Sequence, residues 1–392
     1  MHLALEIATT IIIALVVISS FSILFTFQSS SSTNRTSDQS TTITQPLAPK
    51  LHNILLIANE NVLRIAPNND LYPEGLWHNA MTFNGTIPGP LITANQGDTL
   101  NITLRNVGKL PHSLNFHAGF GPNHALSGVV SAGENKTWTM KVNYPGAFLY
   151  HCDGDNLNGI WEHIADGMYG GIVIRSPNEE RNSAHEFYVA FSEIYDTHAH
   201  PPFVAASQFP ADDNNLENNT NNQTVTGSFD IEKFIAREPD LILTNGMAFR
   251  YISWIGTESK IVLNPDAEAF HVRAGELTRW YIFNAGPRNS IAFNFGAGLV
   301  KEVIENNGNN INSTSNHVGN NGSNGILASS PSSLLSSSGI QGIQGYYDEV
   351  VNIPPGSGTV VEVTFPEPGT YFGNDHDVGS ILYGAGFVVI AE

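Results

Sequence analysis

The sequence predicts an all-β protein, two β-sandwich domains in tandem behind an N-terminal hydrophobic segment. Short runs at residues 99–105, 137–142 and 360–365 alternate apolar with polar side chains, the period of a half-buried strand. Glycine (36) and proline (21) punctuate such runs, and no long stretch carries a helical period. The chain also repeats its turn landmarks in order. Phe83-Asn84-Gly85, Gly97-Asp98, Asn106 and Pro145-Gly146 are matched by Thr244-Asn245-Gly246, Gly275-Glu276, Asn284 and Pro368-Gly369.

Taken in order, residues 1–27 are almost wholly apolar and long enough to span a bilayer. They read as an export signal or an uncleaved anchor, with 28–49 as a polar tether. The rest of the chain is then expected outside the cytoplasm. The first sandwich is expected over 50–178 and the second over 184–392. Two stretches rich in Asn, Ser and Gly, 207–228 and 306–345, read as inserted loops.

A formal net charge of −19 argues against nucleic acid or an anionic lipid surface as partner, since both need clustered Lys and Arg. A single cysteine, Cys152, excludes an intrachain disulfide and any Cys-rich zinc or iron–sulfur site. Beside 14 histidines it points to a different metal chemistry.

Cys152, His163 and Met168 follow one another at a strand end, with His112 about forty residues upstream. Two imidazoles, a thiolate and a weak thioether are the donor set of a blue-copper electron-transfer centre. A second set interleaves with it. His117 lies five residues after His112, and His151 directly precedes Cys152. Neighbours in a strand point to opposite faces, so Cys152 and His151 can serve two different metals. A third imidazole would leave an open position for a small anion, and His376, at the matching strand end of the second half, is the natural donor.

The segments Phe83-Asn84-Gly85-Thr86-Ile87-Pro88-Gly89-Pro90, His112-Ser113-x-x-Phe116-His117, Tyr150-His151-Cys152 and His163-x4-Met168-Tyr169-Gly170 resemble the copper-containing nitrite reductases, especially the divergent forms of ammonia-oxidising archaea. The resemblance is close over 75–178 and loose over 230–392. It implies two cupredoxin-type Greek-key domains per subunit and a homotrimer. It implies a type 1 copper on His112, Cys152, His163 and Met168. It also implies a type 2 copper on His117 and His151 with His376 of the partner subunit. The implied reaction is one-electron reduction of nitrite, with electrons entering from a small copper donor protein and passing through Cys152 and His151.

Two departures from the family pattern matter. The family has an Asp, which relays a proton, where this chain has Asn115. An amide cannot act as acid or base at neutral pH. The family's proton-donating histidine early in the second domain has no counterpart between His271 and His317. Slow turnover is therefore expected, and Asn115→Asp is expected to speed it. Two rival readings are a non-enzymatic blue-copper carrier and a laccase-like oxidase. The oxidase needs His-x-His pairs, yet Asp153 follows Cys152. Among the other histidines, His198 and His200 have a His-x-His spacing that could bind a metal but sit in a loop stretch near Pro201-Pro202, and His124 reads as a surface residue.

Overall fold

The computed structural model describes residues 48–68, 75–119, 128–155, 159–176, 185–199, 226–252, 254–256, 261–263, 267–296, 300–304 and 344–392. The N-terminal segment and its tether up to residue 47, most of both predicted inserts, His124, His200 and His317 lie outside the described residues.

Alternating side chains give each strand one core face. In Thr99–Asn106, Leu100, Ile102 and Leu104 are fully buried while their neighbours are not. This strand lies between Leu51–Ala66 and Asn135–Lys141 in a sheet that also holds Leu76–Phe83 and the short Thr226–Gly227. The facing sheet runs Ile92–Asn95, Tyr169–Arg175, Gly146–His151 and Asn115–Phe116. Leu56, Phe83, Ile102, Leu114, Tyr150 and Ile172 pack between the two sheets.

The second sandwich repeats the plan. One sheet centres on His185–Ile194, Leu277–Asn284 and Ser357–Thr364. The other is built on Phe387–Ala391, Gly369–Asp375 and Ile291–Asn294. Its core is more aromatic, with Trp280, Phe293, Phe365 and Phe387 all buried. Two short helices, Ile160–Ala165 and Ile231–Ala236, are the α-helices among the described residues.

A third apolar cluster joins the sandwiches, with Leu149, Tyr169 and Val173 from the first against Leu243, Tyr281 and Phe283 from the second. The approach is close enough that a Cβ on Gly246, at φ +86°, would collide with the Ile87 carbonyl. A polar clamp lies beside it. His78 Nδ1 is 2.5 Å from Asp196 Oδ2 and its Nε2 is 2.9 Å from Asp166 Oδ1. All three are buried. Burial alone would lower the His78 pKa, but the two carboxylate hydrogen bonds outweigh it and raise it to about 9.

Candidate metal centre

The strand Gly146–His151 delivers His151 and, one residue past its end, Cys152. The short helix Ile160–Ala165 presents His163, and its following turn presents Met168. The turn is held by backbone bonds, with the Met168 N–H donating to the His163 carbonyl (2.9 Å) and the Cys152 N–H to the Met168 carbonyl (3.0 Å). His112 is tied to Val130 by a pair of backbone hydrogen bonds.

These elements bring His112, Cys152 and His163 together, with one ligand atom from each within 4.8 Å of the others. Cys152 Sγ lies 3.2 Å from His163 Nδ1 and 3.7 Å from His112 Nδ1, and the two Nδ1 atoms are 3.3 Å apart. Cys152 and Met168 are fully buried in the same cluster. The far nitrogen of His112 is fixed by Glu60, with Nε2 2.9 Å from Oε1. An ionised carboxylate only accepts, so Nε2 carries the proton and Nδ1 presents its lone pair to the site. Glu60 also accepts from the N–H groups of Lys109 and Leu110. Those bonds outweigh its partial burial and hold it below the usual carboxylate range. Burial, with the nearby His112, pushes His163 down to about 4, and burial pushes the Cys152 thiol up to about 12. Without metal this is a neutral, dry cluster of soft and borderline donors. A bound cation reverses the thiol's preference, because coordination removes its proton.

A second pair faces the other way from the same strand end. His117 Nε2 and His151 Nε2 stand 3.0 Å apart. His117 Nδ1 is 2.8 Å from the Gly356 carbonyl oxygen, which fixes its proton there. His151 Nδ1 lies 3.2 Å from the Cys152 carbonyl and 3.1 Å from Asp153 Oδ1, both acceptors. Both Nε2 atoms are thus left with lone pairs aimed at one another, an arrangement that a metal cation satisfies. Burial, then the neighbouring His151, lowers the His117 pKa and keeps that ring neutral. Beside His151 is a mostly apolar cavity of about 220 Å³, lined by Trp161, Ile164, Pro287 and Pro355 among others.

His376 is not in this group. It follows the strand Gly369–Asp375 and is exposed, with its N–H on the Ala292 carbonyl (2.7 Å). Asn115 is beside the second pair, and its Nδ2 donates to Asp153 Oδ2 at 3.1 Å. The remaining described histidines have other roles. His52 binds Asp98, His198 contacts the Thr197 hydroxyl, and His185 and His271 are exposed. Spacing along the chain does not reveal Glu60, Asp153 or the His78 clamp. An acidic residue directly after the sole cysteine is the one sequence signal that could have marked Asp153.

The sequence profile of the multicopper oxidase family matches residues 66–179. Copper-containing nitrite reductase of Neisseria meningitidis is 26% identical over 242 residues, 61% of this chain and 53% of that protein. The chain thus spans about half the length of that relative. The enzyme of Cereibacter sphaeroides is 36% identical over 124 residues, 30% of this chain and 32% of that one. Among solved structures, the copper nitrite reductase of Nitrosomonas europaea superposes with a TM-score of 0.60 at 22% identity, covering 87% of this chain and 94% of that one. The fold is therefore that of two-domain cupredoxin proteins, and copper is the metal these donor sets suit. Residues 66–179 thus match a multicopper oxidase domain, and the chain is similar to copper-containing nitrite reductases in sequence and in fold.

Proposed function

We propose that the protein reduces nitrite to nitric oxide, consuming one electron and two protons and releasing water. One observation carries this reading. Two donor sets of different chemistry leave one strand end on consecutive residues, His151 and Cys152. When bound, copper supplies one-electron redox chemistry at His112, Cys152, His163 and Met168 (type 1), and an open coordination position at His117 and His151 (type 2).

The chain's own residues do the rest. Burial around Cys152 and Met168 excludes water from the first set. The peptide between His151 and Cys152 links the two sets covalently. Gly356 and Asp153 hold the rings of His117 and His151 with Nε2 free. His376, exposed on the second sandwich, completes the second set in a neighbouring chain, which makes a homotrimer the active form. Asn115 can donate or accept a hydrogen bond to nitrite but cannot move a proton. Turnover is therefore slow where proton delivery limits it, by roughly 10²–10⁴-fold relative to a site with an acid in place. A small copper protein is the expected electron donor, and the N-terminal hydrophobic segment places the enzyme outside the cytoplasm.

The test is nitric oxide production from nitrite under anaerobic conditions by the copper-loaded protein with a small reductant. Copper-dependent nitric oxide that disappears in His117→Ala is the expected result. A blue protein with two coppers per chain and no nitric oxide would sink the proposal. One copper per chain would favour an electron carrier.

A further inference from the structure

Asp153 sits behind the second histidine pair and has no solvent exposure. Its backbone N–H donates to Ser113 Oγ at 3.1 Å, anchoring it at the strand end. Its two carboxylate oxygens face two different groups of the site. Oδ2 accepts from Asn115 Nδ2 at 3.1 Å. Oδ1 lies 3.1 Å from His151 Nδ1 and accepts no aligned hydrogen bond of its own. A buried carboxylate oxygen left in this way is costly unless a nearby donor compensates it. The His151 Nδ1–H, hydrogen-bonded to the Cys152 carbonyl at 3.2 Å, lies 3.1 Å from that oxygen and offsets its charge.

We infer that Asp153 is the positioning residue of the type 2 site, a role that rests on the reductase reading above. With its carboxylate 3.1 Å from His151 Nδ1, it favours the tautomer that carries the proton there and leaves Nε2 for the metal. By accepting from Asn115 it fixes that amide's orientation, because a carboxylate can face only the NH2 end. Asn115 then has its carbonyl oxygen free and its amino group engaged. The pair 115 and 153 thus works as a unit, amide in front and carboxylate behind.

This changes what Asn115→Asp alone should do. It would set two carboxylates at hydrogen-bond distance in a buried site, where like charges disfavour each other. The change expected to be tolerated is the exchange of both residues, Asn115→Asp with Asp153→Asn. The amide at 153 can then accept from His151 through its oxygen and donate to position 115 through its nitrogen. In Asp153→Asn alone, an amide oxygen kept on His151 turns its nitrogen to Asn115, which must flip its own amide to accept and so loses the orientation the carboxylate fixes.

The measurement is the type 2 copper dissociation constant of the intact protein, by competition with a chelator, alongside its electron paramagnetic resonance. The type 1 blue absorption reports in the same sample that the first sandwich is folded. Asp153→Asn should weaken type 2 binding by about 10–100-fold and alter its resonance with the blue band intact. The double exchange should recover binding to within about threefold of the parent, on the same outer-partner scale. If Asp153→Asn does not fold, the double exchange decides alone. Recovery supports the role, and weakened binding overturns it. Unchanged affinity and resonance in a folded Asp153→Asn overturn it too, as does a folded double exchange no better than the single. A parent protein without type 2 copper overturns the reductase reading itself. A parent with two coppers and an unaffected variant overturns only the role of Asp153.

Discussion

In the first sandwich, Asn106 Nδ2 donates to the carbonyls of Leu110 and Val130 while its Oδ1 accepts from the Gly108 N–H. In the second, Asn284 Nδ2 donates to the carbonyls of Asn289 and Ile353 while its Oδ1 accepts from the Gly286 N–H. The register agrees as well. Asn115 pairs with His151 in one sheet, and Phe293 pairs with Asp375 in the other. One residue further on, buried Cys152 therefore corresponds to exposed His376. The comparison separates what builds the sandwich from what the sandwich carries. The asparagine brackets recur because strand-end backbone groups need partners in both halves. The paired His151 and Cys152 donors of the first strand end do not recur, and packed aromatics such as Phe293 and Phe295 fill the second core.

The largest expected effects come from exchanging the two corresponding strand-end residues. Cys152→Ser should abolish the blue absorption and nitric oxide formation together. His376→Ser should leave the blue absorption intact while type 2 copper is lost and turnover falls by more than about 10²-fold, beyond the usual effect of an outer-shell partner. Loss of blue colour in His376→Ser would break the assignment of one position to each site.

The clamp at His78 has no counterpart in this correspondence, because it joins the sandwiches rather than building either one. His78→Ala leaves Asp166 and Asp196 buried without their cation, at a cost of about 3–5 kcal/mol. Denaturant unfolding of the loaded protein would measure it. The pH dependence has a definite sign. The folded pKa, about 9, lies above the ordinary 6.5. The clamp's contribution is therefore complete below about pH 6.5 and fades as pH rises through about 9. A stability gap between parent and His78→Ala that widened over this range would contradict a cationic His78.

Much of this was legible in the sequence where the signal is local. The strand over 99–105 shows in alternation, and the Asn-Gly turns and the order of landmarks show the repeat. The first donor set shows in the spacing of Cys152, His163 and Met168, because the stretch directly after one strand carries all three. The partners that orient those donors were hidden, since they come from distant strands. Glu60 precedes His112 by 52 residues, and Asp166 and Asp196 follow His78 by 88 and 118. Asp153 was hidden differently. Followed by Gly154, it looks like an ordinary turn pair. Only the pairing of Asn115 opposite His151 brings it against that residue's amide.

The asparagine brackets test the shared scaffold itself. Asn106→Ala and Asn284→Ala each strand two carbonyls and an N–H, and each should cost roughly 2–3 kcal/mol. The blue absorption should survive in the Asn284 variant and weaken in the Asn106 variant, whose bracket includes the Val130 carbonyl beside His112. Equal loss of stability with unequal loss of colour is the signature of one scaffold with one loaded end.

The smallest effect is expected at the two Asn-Gly turns, where the symmetry between halves should be tightest. Asn84 and Asn245 have φ of 57° and 50°, in the left-handed region. Asn84 Oδ1 accepts from the Ile57 N–H at 2.7 Å, and Asn245 Oδ1 accepts from the Ala190 N–H at 2.8 Å. Glycine keeps the backbone conformation and loses only the side-chain bonds, so Asn84→Gly should cost about 1 kcal/mol and Asn245→Gly more. Alanine adds the left-handed penalty, about 1–2 kcal/mol more. The Ala–Gly difference isolates the backbone contribution and should match at the two turns within experimental error. The absolute losses should be larger at Asn245, whose Nδ2 also donates to the Tyr188 carbonyl and the Tyr251 hydroxyl. A larger absolute loss at Asn84 would mean that the first turn is held by something the second lacks, and the repeat would then be one of topology alone.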